Sequence, residues 1–221
     1  MITVVMPVRN ADKTLSKSIE SVLSQSYKNF EFFILDDAST DNSSKIIYEY
    51  SIKDSRIKLF KNKDNLGLTK SLNLLIREAN NKYIARQDSD DLSEISRFEK
   101  QVQYLEKSKY RACTSRATIL NKSSKIPKFS YFLPNNFVIK FKNPFIHGSL
   151  MIEKKLLDEV GGYDENFYYS QDYKLFIDIL NSGEKIKTLY EPLYILNVIN
   201  NISTIYKDEQ RSYAIKARKY L

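Results

Sequence analysis

The apolar positions follow one rhythm through the first hundred residues. "ITVVMPV" (2–8) is a continuous apolar run, the pattern of a strand buried on both faces. Leu15, Ile19, Val22 and Leu23 then recur at helical spacing, with Asp12 read as the cap of that helix. "FEFFIL" (30–35) predicts a second strand that ends in Asp36-Asp37, and Asp41 is placed to cap a helix carrying Ile46, Ile47 and Tyr50. "IKLF" (57–60) predicts a third strand, followed by the helical stripe Leu68, Leu72, Leu75, Ile76, Ala79. "KYIA" (82–85) predicts a fourth, followed by a helix marked by Phe98, Val102 and Leu105. Four strand-helix units in succession imply a parallel sheet with helices on both faces.

The second half is less regular. Residues 120–144 interleave lysines with Phe and Tyr, and "FIHGSLMI" (145–152) reads as a strand. A helix, a Gly161-Gly162 turn and a second helix beginning near Gln171 follow. Residues 186–199 read as paired short strands, and "STIYKDEQRSYAIKARKYL" as a terminal helix. No internal repeat or low-complexity linker divides the chain.

Ligands in open α/β sheets bind beyond the carboxyl ends of the strands. Here those ends carry Arg9-Asn10, Asp36-Asp37, and the cluster Asp88, Asp90, Asp91, so three polar groups converge on one rim. Any one acid at such a place is explained by helix capping, and Asp91 or Ser93 would serve that role. Three acids within four residues repel one another unless a positive charge sits among them. Arg86, two residues before Asp88, supplies only one. A divalent cation supplies the rest, and oxygen-only ligands suit Mg²⁺ or Mn²⁺, which also take phosphate oxygens. Neither G-x-G-x-x-G nor G-x-x-x-x-G-K-[ST] is present, so a glycine loop does not cradle the phosphates.

Bulk composition narrows the picture further. The 221 residues suit one domain, and 35 Lys+Arg against 27 Asp+Glu give net charge +8, which favours anionic partners. No nucleic-acid reader motif accompanies that charge, so nucleic acid is not expected as a partner. The single cysteine, Cys113, forms no internal disulfide and fits a reducing compartment. The opening "MITVVMPVRN" has no signal-peptide pattern, and no run of about 18 apolar residues predicts a membrane span. The expectation is a cytoplasmic protein, with peripheral contact to the inner face of the cytoplasmic membrane as an option. That option rests on two basic aromatic stretches: residues 120–144, and the terminal helix with Lys207, Arg211, Lys216, Arg218 and Lys219 beside Tyr206, Tyr213 and Tyr220.

The motif order carries a resemblance. "VVMPVRNADKTLSKSIESVLSQSYKNFEFFILDDASTDNS", "NLGLTKSLNLLI", "YIARQDSDDLSEISRFEKQV", "NPFIHGSLMI" and "GGYDENFYYSQDYKLFIDIL" together resemble family 2 glycosyltransferases over roughly residues 1–195. The resemblance implies the GT-A fold, a Rossmann-like, mostly parallel sheet flanked by helices, with a less regular acceptor-side C-terminal half. It implies one domain over 1–221: a nucleotide-sugar-binding half (1–107), an acceptor and catalytic half (108–200) and a C-terminal helix (201–221).

Residue by residue, Pro7 and Asn10 match the family's first loop near the nucleotide base, and Asp37 the acceptor of a uracil hydrogen bond. Asp88-Ser89-Asp90 matches the Asp-X-Asp motif, with Asp88 toward the nucleoside and Asp90 on a metal bridging the diphosphate. Arg86 is divided between donor binding and balancing the acids. Asp172 matches the catalytic base. His147 stands where relatives carry a His near the donor, read here as a further metal ligand or a structural residue.

The implied reaction is metal-assisted, inverting transfer from a nucleotide sugar, UDP-linked by the uracil contact, to a glycan or lipid-linked acceptor in polysaccharide assembly. The family's processive members often carry a Gln-x-x-Arg-Trp motif; the absence of any Trp points to single addition. The alternatives are a catalytically silent nucleotide-sugar-binding domain and, with its glycine-rich lysine loop missing, a nucleotidyltransferase. A phosphoacceptor receiver domain is disfavoured because strand three ends in "KNKDN".

Overall fold

In a computed structural model, residues 1–198 and 206–221 are described. The first half follows the predicted rhythm closely. β1 (Ile2–Val8), β2 (Phe30–Asp36), β3 (Ile57–Lys61) and β4 (Tyr83–Arg86) lie parallel in the order β3-β2-β1-β4. The crossovers are α1 (Leu15–Leu23), α2 (Ser43–Ser51) and α3 (Leu68–Glu78). β1 is central, and every one of its residues is buried. Alternate side chains leave a strand on opposite faces. Val4, Met6 and Val8 accordingly join Leu15, Ile19, Phe32 and Ile34 in one core cluster, while Val5 joins Phe33, Leu35, Leu72 and Leu75 in the other. A continuous apolar run is what such a doubly covered strand requires.

Asp12 is not a cap. α1 starts at Leu15 after Thr14, and the Asp12 backbone N–H instead donates to Asp41 Oδ2 at 3.0 Å. The other oxygen of Asp41 accepts from the Ser43 N–H at 2.9 Å, so this carboxylate does serve the start of α2.

Beyond β4 the sheet becomes mixed and curls. β5 (Leu92–Ser93) is two residues long and precedes α4 (Arg97–Lys107), β6 (Ala112–Ile119) and β7 (Lys122–Ile126). β8 (Met151–Glu153) pairs antiparallel with both β4 and β6. The strand predicted over 145–152 is mostly a turn: a 3-10 turn occupies His147–Ser149, and only β8 is extended. The Ser149 hydroxyl stabilises it by donating to Ile146 O at 2.8 Å.

The predicted pair of short strands at 186–199 is one strand, β9 (Ile186–Leu196), up to where the described residues end. Its two partners are distant in sequence: it runs parallel to β6, with register shifts near Arg116, and antiparallel to β5. Long-range pairing has no local signature. The first part of the predicted terminal helix, 203–205, lies outside the described residues. α5 (Asn135–Val138), α6 (Lys154–Glu159), α7 (Gln171–Asn181) and α8 (Lys207–Arg218) complete the second half. No helix among the described residues is long and apolar enough to cross a membrane.

Candidate active site

The rim at the carboxyl ends of β1 and β2 is latched by polar side chains. Asn10 and Ala38 both adopt left-handed backbone (φ 48° and 56°), a sparsely populated state for non-glycine residues that concentrates at functional sites. Asn10 Oδ1 accepts from the Thr40 N–H at 2.8 Å, and Arg9 Nη1 donates to Asp37 O at 2.7 Å. Pro7 is buried within β1. Asp36 is fully buried; burial alone would raise its pKa, but hydrogen bonds from Ser39 and Ser44, with Lys61 nearby, hold it below the ordinary value.

Asp37, the expected uracil acceptor, is heavily engaged within the fold. It is 3% exposed and accepts from Asn62 Nδ2 (2.8 Å), Leu66 N (2.9 Å) and Gly67 N (2.9 Å). An ionised carboxylate offers about four lone-pair positions, so its main load is the loop between β3 and α3. Beside it, an open depression of about 520 Å³ is lined by Ala38, Ser39, Thr40, Lys61, Asn62 and Lys63.

The end of β4 is built differently. Arg86 is 2% exposed, and its Nη2 donates to Asp88 Oδ1 at 2.5 Å. Its Nη1 donates to the Gln87 carbonyl, and its Nε has no hydrogen-bond partner. Of the two roles expected for Arg86, this geometry favours balancing the acids: the buried guanidinium is ion-paired with Asp88.

Gln87, fully buried, scaffolds the acidic loop. Its amide donates to Asp88 O (3.1 Å) and Asp91 O (3.0 Å), and its Oε1 accepts from Ser93 Oγ and Arg97 Nη1. Tyr194 of β9 receives a hydrogen bond from the Asp88 N–H at 3.1 Å. Gly148 must be glycine here, because a Cβ would collide with the Tyr194 hydroxyl and lie 2.7 Å from Asp88 Oδ2.

The three carboxylates then share too little positive charge. Burial and the neighbouring Asp88 push Asp90 up to about 6. Burial, then Asp88 and Asp90, push Asp91 up to about 8, although the Asn197 N–H donates to it at 2.7 Å. Asp91 is thus a buried acid that ties the loop to β9, and Asp90 is the half-buried one at the rim.

Asp172 lies in the first turn of α7, where a carboxylate complements the helix dipole. Burial raises its pKa, while the Tyr173 N–H and Asn143 pull it back. Asn143 Nδ2 donates to Asp172 Oδ2 at 2.7 Å. The preceding Ser170 is left-handed (φ 52°), and its hydroxyl bonds to Gln210 of α8 at 3.0 Å, so the terminal helix pins the turn that aims Asp172.

Of the two readings of His147, its surroundings favour the structural one. Its Nε2 is bonded to the Tyr163 hydroxyl at 2.7 Å, and burial, reinforced by the Arg86 charge, lowers its pKa to about 3. The adjacent positive charge of Arg86 disfavours a further cation at this ring.

Among the described residues, no three His, Cys, Asp or Glu side chains form a ready-made metal set. Mg²⁺ and Mn²⁺ do not need one. They bind through one or two carboxylates plus water and substrate phosphates, and an undercompensated oxygen-only cluster fits that demand. Gln87, Asn143, Tyr163 and Tyr194 carried no signal of their own in the sequence; the loop carbonyls, the Asp172 carboxylate, the His147 ring and the Asp88 N–H that folding brings to them give them their roles.

A sheet that turns from parallel to mixed beyond β4, with an acidic rim at the carboxyl ends of its parallel strands, defines an α/β fold with a candidate ligand site on that rim. The family model described as "Glycosyl transferase family 2" matches residues 3–161, and the chain belongs to that family. It is 34% identical over 219 residues to EpsE of Bacillus subtilis, named as a glycosyltransferase, covering 97% of this chain and 78% of that protein. It is 32% identical over 184 residues to WfgD of Escherichia coli, a UDP-Glc:alpha-D-GlcNAc-diphosphoundecaprenol beta-1,3-glucosyltransferase, covering 83% and 71%. The mannosyltransferase PcManGT of Pyrobaculum calidifontis, solved with GDP-Man and Mn²⁺, superposes with TM-score 0.80 at 18% identity, covering 98% of this chain and 62% of that one. The fold is GT-A, and the chain is classed as a glycosyltransferase.

Proposed function

We propose that the chain transfers one sugar, with inversion, from a UDP-linked donor to a glycan or lipid-linked acceptor. The observation that carries this reading is the undercompensated cluster Asp88, Asp90, Asp91 set over one buried guanidinium ion-paired with Asp88. Donor binding falls to the half spanning 1–107, with Pro7, Asn10 and Asp37 on the nucleoside side. Asp88 serves the nucleoside side, and Asp90 the metal and diphosphate. The half spanning 108–200 presents Asp172 to the acceptor, and α8 (Lys207–Arg218) braces it through Gln210.

When bound at Asp90, Mg²⁺ or Mn²⁺ supplies Lewis-acid stabilisation of the departing diphosphate. The acceptor hydroxyl oxygen forms a bond to the anomeric carbon as the carbon–diphosphate oxygen bond breaks. Its proton passes to Asp172, and the electron pair leaves with the diphosphate. A carboxylate with a raised pKa is the better proton acceptor. One displacement from the face opposite the leaving group inverts the anomeric centre, as with inverting glycosidases. Asn143 and the Ser170 turn keep the base aimed.

WfgD takes a UDP-linked glucose and a lipid diphosphate acceptor, and PcManGT was solved with Mn²⁺; both support the donor and metal classes proposed here. The test is thermal stabilisation by UDP-sugars with and without Mn²⁺, run beside turnover of the same donors. Asp172→Asn is expected to keep the metal-dependent shift and lose about 10³-fold in turnover. Full turnover by that variant removes Asp172 from the chemistry. A shift with no transfer or donor hydrolysis in the unmodified protein favours a silent binding domain.

A further inference from the structure

The segment between β7 and the His147 turn faces the wrong way for an ordinary loop. Phe129, Phe132, Phe137 and Phe141 are between 53% and 76% exposed. The segment nevertheless is strapped to the core by other residues. Val138 and Ile139 are buried, Asn135 Nδ2 donates to Ile186 O at 3.1 Å, and the Tyr173 hydroxyl donates to Ile139 O. Its inward side chains thus supply the packing, and the four phenylalanines are left over. Phe137 and Phe141 stack on each other with centroids 5.2 Å apart, and Arg218 of α8 holds the Phe141 carbonyl at 3.4 Å.

The charge of this region is one-sided. From Lys107 to Ile152 the chain holds nine Lys or Arg and no Asp or Glu. Lys128, Lys140 and Lys142 are exposed among the phenylalanines. Apolar side chains fenced by lysines, with no acid to pair them, match a bilayer surface bearing negative headgroups. The rings enter the acyl boundary and the ammonium groups meet the phosphates. Arg111 is paired with Glu153, Glu159 and Glu184, but among the described residues no acid pairs with Lys128, Lys140 or Lys142, so the charge within 128–142 itself is left for an anionic partner.

We propose that residues 128–142 form a docking surface for an anionic lipid bilayer. The segment runs directly into Asn143, whose amide holds Asp172, so a docked chain presents its acceptor side to the membrane. This surface goes beyond the glycosyl-transfer reading and does not depend on it, since vesicle binding requires no donor.

The experiment is co-sedimentation of the full chain with phosphatidylglycerol-containing vesicles and with pure phosphatidylcholine vesicles, at low and high salt. The two variants are Phe137→Ser/Phe141→Ser and Lys140→Ser/Lys142→Ser, with circular dichroism melting to confirm that each folds. The expected result is binding to the anionic vesicles only, reversed by salt. The lysine variant should weaken it about fivefold for each lysine removed, and the phenylalanine variant at least as much. Failure of the unmodified chain to sediment overturns the proposal, as does equal binding to neutral vesicles or unchanged binding by both folded variants. A dimer in size exclusion that the phenylalanine variant dissociates, without vesicle binding, assigns the face to a second copy instead.

Discussion

Two acidic clusters stand at the carboxyl ends of strands in the same sheet, Asp36-Asp37 after β2 and Asp88 to Asp91 after β4, and they behave oppositely. Every Asp36-Asp37 oxygen has a neutral donor or Lys61 in reach, and Asp36 stays below the ordinary carboxylate value. After β4 the acids face one another over a single ion-paired arginine, and two of them are pushed up to about 6 and about 8. The lesson is that position on the rim does not set a carboxylate's role. The number of donors aimed at it does. A satisfied cluster holds loops in place; an unsatisfied one keeps charge that the fold itself does not neutralise.

The difference can be broken most forcefully at Asp90. Asp90→Asn is expected to cut metal-dependent turnover by about 10³-fold. The metal-free protein should melt no lower and should gain up to about 1 kcal/mol, because a repelling charge is gone. Calorimetry beside an activity assay decides this, and a large loss of stability would place Asp90 with the structural acids. The reverse is expected of Asp37→Ala, which strands three donors that served an ionised group. A loss of about 3 kcal/mol in urea unfolding is the expected cost, with metal binding by the folded fraction retained.

A stability profile against pH separates the clusters without mutation. Asp90 and Asp91 have folded values above the ordinary 3.8, so the native state binds more protons than the unfolded chain between about pH 4 and about pH 8. Their contribution therefore falls as pH rises through that window, and added Mn²⁺ should offset the fall because it favours the ionised forms. Asp36 has the opposite sign: its contribution is present above the ordinary carboxylate range and disappears as pH drops through its lowered value. Urea midpoints at successive pH values, with and without Mn²⁺, read both. The smallest effect is expected from Ser44→Ala, which removes one hydrogen bond of 2.7 Å to Asp36 and should lower stability by about 1 kcal/mol.

Much of the first half was legible because its information is local. β1 to β4 and their helices are written in runs and stripes of apolar residues, and burial on two faces enforces those patterns at short range. The clustering of Asp88, Asp90 and Asp91 was equally plain, since three like charges in four residues are conspicuous in any fold. The second half resisted for the opposite reason. β9 pairs with β5 and β6, about 100 and 75 residues away in sequence by the pairings Leu92–Ile195 and Ala112–Ile186. The 145–152 run looked like a strand because its apolar residues are buried, yet the Ser149 hydroxyl and the close approach of Gly148 to Asp88 favour a turn.

The sequence by itself determined the βα framework, the rim on which the site stands and the residue types available there. Tertiary structure decided which of those residues face outward and what each is bonded to. Arg86 went beneath Asp88, Asp37 was engaged by a loop thirty residues on, and His147 was turned to Tyr163. A side chain's charge is fixed by its chemistry, but its pKa and its partners are sums over neighbours that only the folded chain brings within a few ångströms.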